Sequence, residues 1–225
     1  KRLLFIKLKD NYFAPSVLKE EPGYDVVYYF HCNEYVEKSH IFNTLFIDLS
    51  REKEDILSSF DRTTKQVIRK MIRENFLTLE MIEEPSEKDV KEFKEFFNDF
   101  AKKKKIRPCD DVLIENLLKI SSFKISKVSY EDETLCMFGF ITNGKRACVQ
   151  YESSIRFSCN ECPDTIKLSG KASKMLEYFS MMYFKDQGFL TYDLCGLTLN
   201  PDNQELANID RRKKGFGGTI VREYN

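Results

Sequence analysis

Few side chains in this 225-residue chain combine a reactive type with a telling spacing. His31 and His40 are its two histidines. Neither sits in a nucleophile motif, which argues against Ser/His or Cys/His catalysis. "CNEC" at 159–162 has the spacing of half a zinc site. No second cysteine pair follows and both histidines lie far upstream, so a four-ligand structural site is not completed and no metal is expected. What remains is a set of carboxylates, tyrosines and glycine-flanked lysines. Glu152, in "RACVQYES", is a strand carboxylate that can act as a general base, directly or through water, or simply be a surface charge. Asp193, in "FLTYDLCG", sits at a strand end, as a site residue or a structural cap. "KLSGKASK" puts Gly170 between Lys167 and Lys171 where a long helix is expected to open. Glycine there lets backbone approach a phosphate, and the free N–H groups of a helix start bind it. The chain closes on "RRKKGFGGTIVREYN", with four cations running into three of its nine glycines.

These residues need elements to hold them. From residue 77 the hydrophobic pattern predicts the order β-α-α-β-β-β-α-β-α-β. "FLTLEMIEE" opens it, and a Phe93, Phe96, Phe97 and Phe100 stripe marks a helix packed on a core. Three strands follow, "FKISKVSY", "LCMFGFITN" and "RACVQYESSI", the last two joined by a tight "NGK" turn. A polar loop, "RFSCNECPDTIKLSG", leads to the long helix with its face of Ala172, Met175, Leu176, Phe179, Met182 and Tyr183. In front lie two short strands, "RLLFIKL" and "YDVVYYFH", and a third, "NTLFIDLS", with Ser50 as the expected cap of a basic, interrupted helix. The expected division is 1–76, N-terminal strands and basic helix packed on the main domain, and 77–225, the main domain.

Lys plus Arg equals Asp plus Glu at 36 each, so no global field draws nucleic acid or an anionic membrane. A nucleic-acid regulator is therefore disfavoured. No apolar run reaches the roughly 18 residues of a membrane span and no signal-peptide pattern stands at the start. Seven scattered cysteines, several in strand contexts such as Cys136, Cys148 and Cys195, suit reduced thiols and a cytoplasmic location.

The ordered set of motifs resembles the GNAT acyltransferase superfamily, and within it the Fem-type (FemAB-like) aminoacyl/peptidyltransferases. "LFIDLSREKEDILSSFDRTTKQVIRKMIRENFLTLEMIEE" is similar to the family's strand, helix and basic "R-x-x-I-R-K-A" segment, with Lys65 where Arg is usual. "MLEYFSMMYFKDQGFLTYDLCG" matches its long helix and "Y-D-x-x-G" strand end at Gly188, Tyr192, Asp193 and Gly196. "RKKGFGG" matches "F-K-x-G-F-G-G" from Lys213 to Gly218, with Arg212 replacing the usual Phe. The resemblance covers roughly residues 42–225, one complete GNAT-like half with a remnant in front.

The resemblance implies an α/β (α+β) fold with a mixed, mostly antiparallel central sheet flanked by helices and an N-terminal strand/helix extension. It implies transfer of an acyl group to an amine, which needs the amine deprotonated, the carbonyl oriented and the oxyanion stabilised. Two neighbouring parallel strands should splay, and "RACVQYES" and "LTYDLCG" are the candidates. Glu152, Tyr192 and Asp193 are the expected catalytic residues, with Tyr192 orienting substrate. Gln150, Tyr151, Lys213 and Arg69 are expected to bind substrate, and Lys213 to face an anionic donor or acceptor. Lys167, Gly170, Lys171 and Ala172 fit the spacing of the family's pyrophosphate loop, which would hold an acyl-CoA such as acetyl-CoA. Charged tRNA is the alternative donor and would use the cations from Arg62 to Arg73 and from Lys102 to Arg107. The acceptor is a small molecule or a glycan or peptide, on a cell-envelope or glycan precursor. The rival expectation is a non-catalytic GNAT-like module that binds a nucleotide-linked ligand or a partner protein.

Overall fold

The structure, a computed structural model, describes residues 7–17, 22–157, 163–200 and 202–225. The "CNEC" cysteines and most of "RLLFIKL" lie outside the described residues. Two short strands, β1 (Leu8–Tyr12) and β2 (Val26–Phe30), pair in parallel apart from the main sheet. Then follow β3 (Ile41–Asp48), α1 (Lys53–Ser59), α2 (Arg62–Glu74), β4 (Leu77–Ile82), α3 (Glu87–Lys104) and α4 (Asp111–Lys119). The rest of the chain is β5 (Phe123–Tyr130), β6 (Glu133–Thr142), β7 (Arg146–Ser154), α5 (Pro163–Asp186), β8 (Thr191–Leu197), α6 (Gln204–Lys214) and β9 (Thr219–Tyr224). From residue 77 onward this is the order the hydrophobic pattern predicts.

The main sheet runs β4-β5-β6-β7-β8-β3-β9 and is antiparallel except where β7 meets β8. Helices cover both faces, so its central strands read as nearly continuous hydrophobes. On β6, Phe138 and Phe140 join the core under α1, α2 and α5, while Met137 and Ile141 join the core under α3 and α4. The Phe93 and Phe97 stripe of α3 packs there against Phe123 and Tyr151. No helix among the described residues is long and apolar enough to cross a membrane.

Local chemistry explains most boundaries, and three expectations need correcting. Ser50 does not cap a helix. Its amide and hydroxyl both donate to Asp48, and α1 starts after Glu52. The basic helix is instead capped by Asp61, which accepts from the Thr64 amide at 2.6 Å and so splits the apolar stripe into α1 and α2. Strand β3, expected in a unit spanning 1–76, is inserted between β8 and β9, so residues 41–48 belong to the same sheet as 77–225. Finally, α5 opens at Pro163 rather than near Gly170. Proline suits the first helical position, where its missing N–H costs nothing.

Candidate functional site

Strands β7 and β8 pair over three positions, Arg146 with Thr191, Ala147 with Tyr192 and Cys148 with Asp193. Beyond that they part, although β7 runs on to Ser154 and β8 to Leu197. Each carries an irregularity at the parting point. The β6–β7 register shifts between Gly139 and Phe140, which leaves Gln150 opposite no β6 residue. The β8–β3 register shifts between Thr44 and Phe46, and Cys195 there adopts a left-handed φ of 58°. A bulge bends its strand and increases the local twist, so bulges on both strands turn them apart. Past Cys148 the side of β7 that faces β8 has no ladder partner among the described residues.

Arg212, from α6, reaches into this gap. Its guanidinium donates to Glu152 of β7 at 2.5 Å, and its Nη1 lies 3.7 Å from Oε2 of Glu177 on α5. Glu177 is fully buried, and its Oε1 accepts the Tyr192 hydroxyl at 2.6 Å. Burial pushes the Glu177 carboxyl up to about 8, with the Glu152 charge adding to the effect. Glu177 therefore holds a proton near neutral pH. Arg212 Nη1 and Glu177 Oε2 are buried without a hydrogen-bond partner among the described residues.

That proton has a thermodynamic signature. The folded state keeps it between the ordinary value of 4.5 and about 8, whereas the unfolded state releases it. Glu177's contribution to stability is thus present at low pH and is lost as pH rises through that window. Urea unfolding across this range should show a slope that Glu177→Gln flattens, since the amide is neutral throughout. An unchanged slope would place the proton elsewhere.

At the paired end of the two strands sits a second polar cluster. Arg146 donates through Nε to Asp193 at 3.0 Å and through Nη1 and Nη2 to Glu223 at 2.7 and 2.8 Å. The rings of Phe13 and Phe46 cover its guanidinium at 4.3 and 4.4 Å. Asp193 also accepts from the Thr44 hydroxyl and the Cys195 amide.

The residues expected from sequence are placed unequally. Glu152 lines the gap, half-buried, and Gln150 marks the bulge beside it. Tyr192 and Asp193 do not reach open space, because both are fully buried with their polar atoms already bonded. Tyr151 alternates to the opposite face, where its hydroxyl accepts from the Asp110 amide at 3.2 Å and burial raises it to about 12. Lys213 is buried and donates to the Gly196 carbonyl at 2.8 Å, so it ties α6 to the end of β8 instead of facing an anion. Its replacement should cost stability first. Arg69 is exposed on α2.

Lys167, Gly170, Lys171 and Ala172 lie inside α5 rather than at its start, so their amides serve the helix ladder and no loop forms there. Lys167 is exposed beside Asp164 at 3.5 Å, and Ala172 is buried. A Cβ on Gly170 would meet nothing within 4 Å among the described residues. Gly170→Ala is therefore expected to stabilise the chain by about 0.5–1 kcal/mol in thermal or urea unfolding.

Sequence reasoning missed Glu177, Arg212 as a gap residue, and Arg146. Glu177 did leave a signal, since it stands three and four residues before the buried Ser180 and Met181 of an apolar helix face. A carboxylate there must be paired or protonated.

No protein-family model matches this chain, and no curated protein matches it. Solved structures do. FemX is 14% identical with a TM-score of 0.63, over 80% of this chain and 60% of that one. L-PGS from Bacillus licheniformis is 11% identical with a TM-score of 0.55, over 88% of this chain and 66% of that one. This chain thus spans less than two thirds of either protein's length. The shared feature is the fold, and the chain has a GNAT-like, Fem-type fold with a mostly antiparallel seven-stranded sheet flanked by helices.

Proposed function

We propose that this chain, on its GNAT-like, Fem-type fold, is a transferase that moves an acyl or aminoacyl group onto an amine in the gap between β7 and β8. The observation that carries this reading is the parting of these two parallel strands after three pairs, with a bulge on each at the point of parting. The gap exposes a β7 backbone edge suited to an acyl carbonyl, and a carboxylate sits beside it. Glu152 takes the proton from the attacking amine, directly or through water. The amine then attacks the carbonyl carbon, and an N–H of the unpaired β7 edge meets the oxyanion. Collapse expels the thiolate of an acyl-CoA or the ribose oxygen of a charged tRNA, which takes up the proton Glu152 accepted and leaves as the hydroxyl. Arg212 orients Glu152, while Glu177 and Tyr192 form a buried proton-holding pair behind it.

The donor separates two versions of this reading. Exposed Arg62, Arg69 and Arg73 on α2 favour a polyanionic donor such as charged tRNA. The place of residues 167–172 inside the helix ladder weakens the case for a CoA loop there, though exposed Lys167 and half-buried Lys171 still flank the helix surface. Replacing Gly170 with a bulky residue tests this. Loss of acyl-CoA binding supports the CoA version, and unchanged transfer supports the tRNA version.

The whole reading is tested by assaying wild-type protein with acyl-CoAs and with charged tRNA against a panel of amines, including glycan and peptide precursors of the cell envelope. Absence of transfer from both donors, together with no acyl-CoA binding by calorimetry, removes it. The Glu152–Arg212 pair, which closes the base onto a guanidinium, favours the rival reading of a binding module. Ligand bound in the gap without turnover is its signature.

A further inference from the structure

A group of donors that the transfer chemistry does not use lies at the root of the gap. A ring nitrogen of His31 and the Sγ atoms of Cys148 and Cys195 all lie within 4.8 Å of one another. They come from three separate places. His31 follows β2, Cys148 is the last β7 residue paired with β8, and Cys195 stands just past the parting on β8. His31 is only 5% exposed, and its Nδ1 has no hydrogen-bond partner among the described residues. Phe42 and Phe13 wall the imidazole ring at 4.4 and 5.5 Å, which closes off its apolar faces. A buried imidazole nitrogen left unbonded is costly and asks for a ligand.

Two of the three donors also stand on unusual backbone. His31 has φ 57° and Cys195 has φ 58°, the left-handed region that side chains with a Cβ enter at a cost. Each is held there by a side chain. The His31 amide donates to Asn225 Oδ1 and the Cys195 amide to Asp193 Oδ1, both at 2.8 Å. Around the group, two carboxylates, Asp193 and Glu223, face one guanidinium, Arg146, so the surroundings favour a cation. Glu223 Oε2 lies 3.4 Å from that same Nδ1 of His31 without the alignment of a hydrogen bond, and it adds negative charge beside the nitrogen.

We infer that His31, Cys148 and Cys195 form a zinc site that clasps the β7–β8 junction to the segment after β2. Two thiolates and an imidazole select zinc among the common divalent ions, and three protein ligands leave a fourth tetrahedral position for water. The two thiolates neutralise the ion, and Asp193, Glu223 and Arg146 form the polar shell around it. Because Cys148 and Cys195 flank the parting point, bound zinc sets how far the two strands open.

The test uses the full chain, reduced and stripped with a chelator, then titrated with Zn²⁺ and separately with Co²⁺. One equivalent of Co²⁺ should give thiolate-to-cobalt charge transfer with the intense visible bands of tetrahedral cobalt, and zinc should raise the melting temperature. Cys148→Ser and Cys195→Ser should each cut the charge-transfer intensity to about half or less, since one thiolate is lost, and His31→Ala should weaken zinc binding by at least about tenfold. Cys195 is only half-buried, so its serine variant, checked for cooperative unfolding with chelator present, decides the matter if Cys148→Ser fails to fold. Cys159→Ser/Cys162→Ser should keep the full cobalt spectrum. Loss of the spectrum in that variant, undiminished charge transfer in Cys195→Ser, or no charge transfer in the wild type would overturn the site.

Discussion

Replacing Arg146 with alanine is expected to cost about 3–5 kcal/mol of folding stability. Its guanidinium is the shared partner of two carboxylates that are fully out of water, Asp193 at 0% and Glu223 at 1% exposure. Removing it strands both charges, and breaking a buried pair from one side is far costlier than never having built it. Burial alone would push the guanidinium's affinity for its proton down, but Glu223 and Asp193 together push it up. Equilibrium urea unfolding reads the loss. A companion triple variant, Arg146→Met/Asp193→Asn/Glu223→Gln, should recover a large share of it, because no uncompensated charge then remains. A loss below about 1 kcal/mol, the scale of an exposed pair, would show that the cluster is solvated.

The second large effect is on turnover. Glu152→Gln is expected to lower kcat by about 10²–10⁴-fold, the usual contribution of a positioned general base. Glutamine keeps the size of the side chain and an oxygen that can still accept from Arg212, so the gap should stay intact and the unfolding midpoint should hardly move. The measurement is single-turnover transfer at saturating donor, repeated at rising pH. If Glu152 takes the amine proton, the deficit shrinks at high pH, where free amine no longer needs a base. A variant with wild-type turnover would remove Glu152 from the chemistry and leave it as the strut for Arg212.

These predictions rest on residues that differ in how visible they are in the sequence. Glu152 was readable because β7 alternates cleanly around it. The tail "RKKGFGG" was readable too, and for a steric reason. A Cβ on Gly217 would lie 2.7 Å from the Ser59 carbonyl oxygen, and one on Gly218 would lie 2.5 Å from that of Phe46, both at positive φ. Only glycine fits there, and Phe216 just before them is fully buried. Arg212 was hidden because one arginine within a run of four cations reads as part of a solvated helix end. The other three cations fit that reading unevenly: Arg211 and Lys214 are exposed, but Lys213 is buried on Gly196.

By itself the sequence determined the order of elements from residue 77 to the end, because hydrophobic period, helix caps and turn residues are local and each strand here carries its own signal. The family resemblance its motifs carry named the two strands that part. Only the tertiary structure decided which side chains meet. Asp193 and Tyr192 became buried anchors rather than cleft residues, and Lys213 became a tie. Arg212 and Glu177 were brought to the gap from α6 and α5, and β3 entered the sheet between β8 and β9. The reason is range. Pairings such as Arg146 with Glu223, or His31 with Cys148 and Cys195, join residues far apart in the chain. Their energies come from desolvation and charge in the assembled interior, which no local pattern encodes.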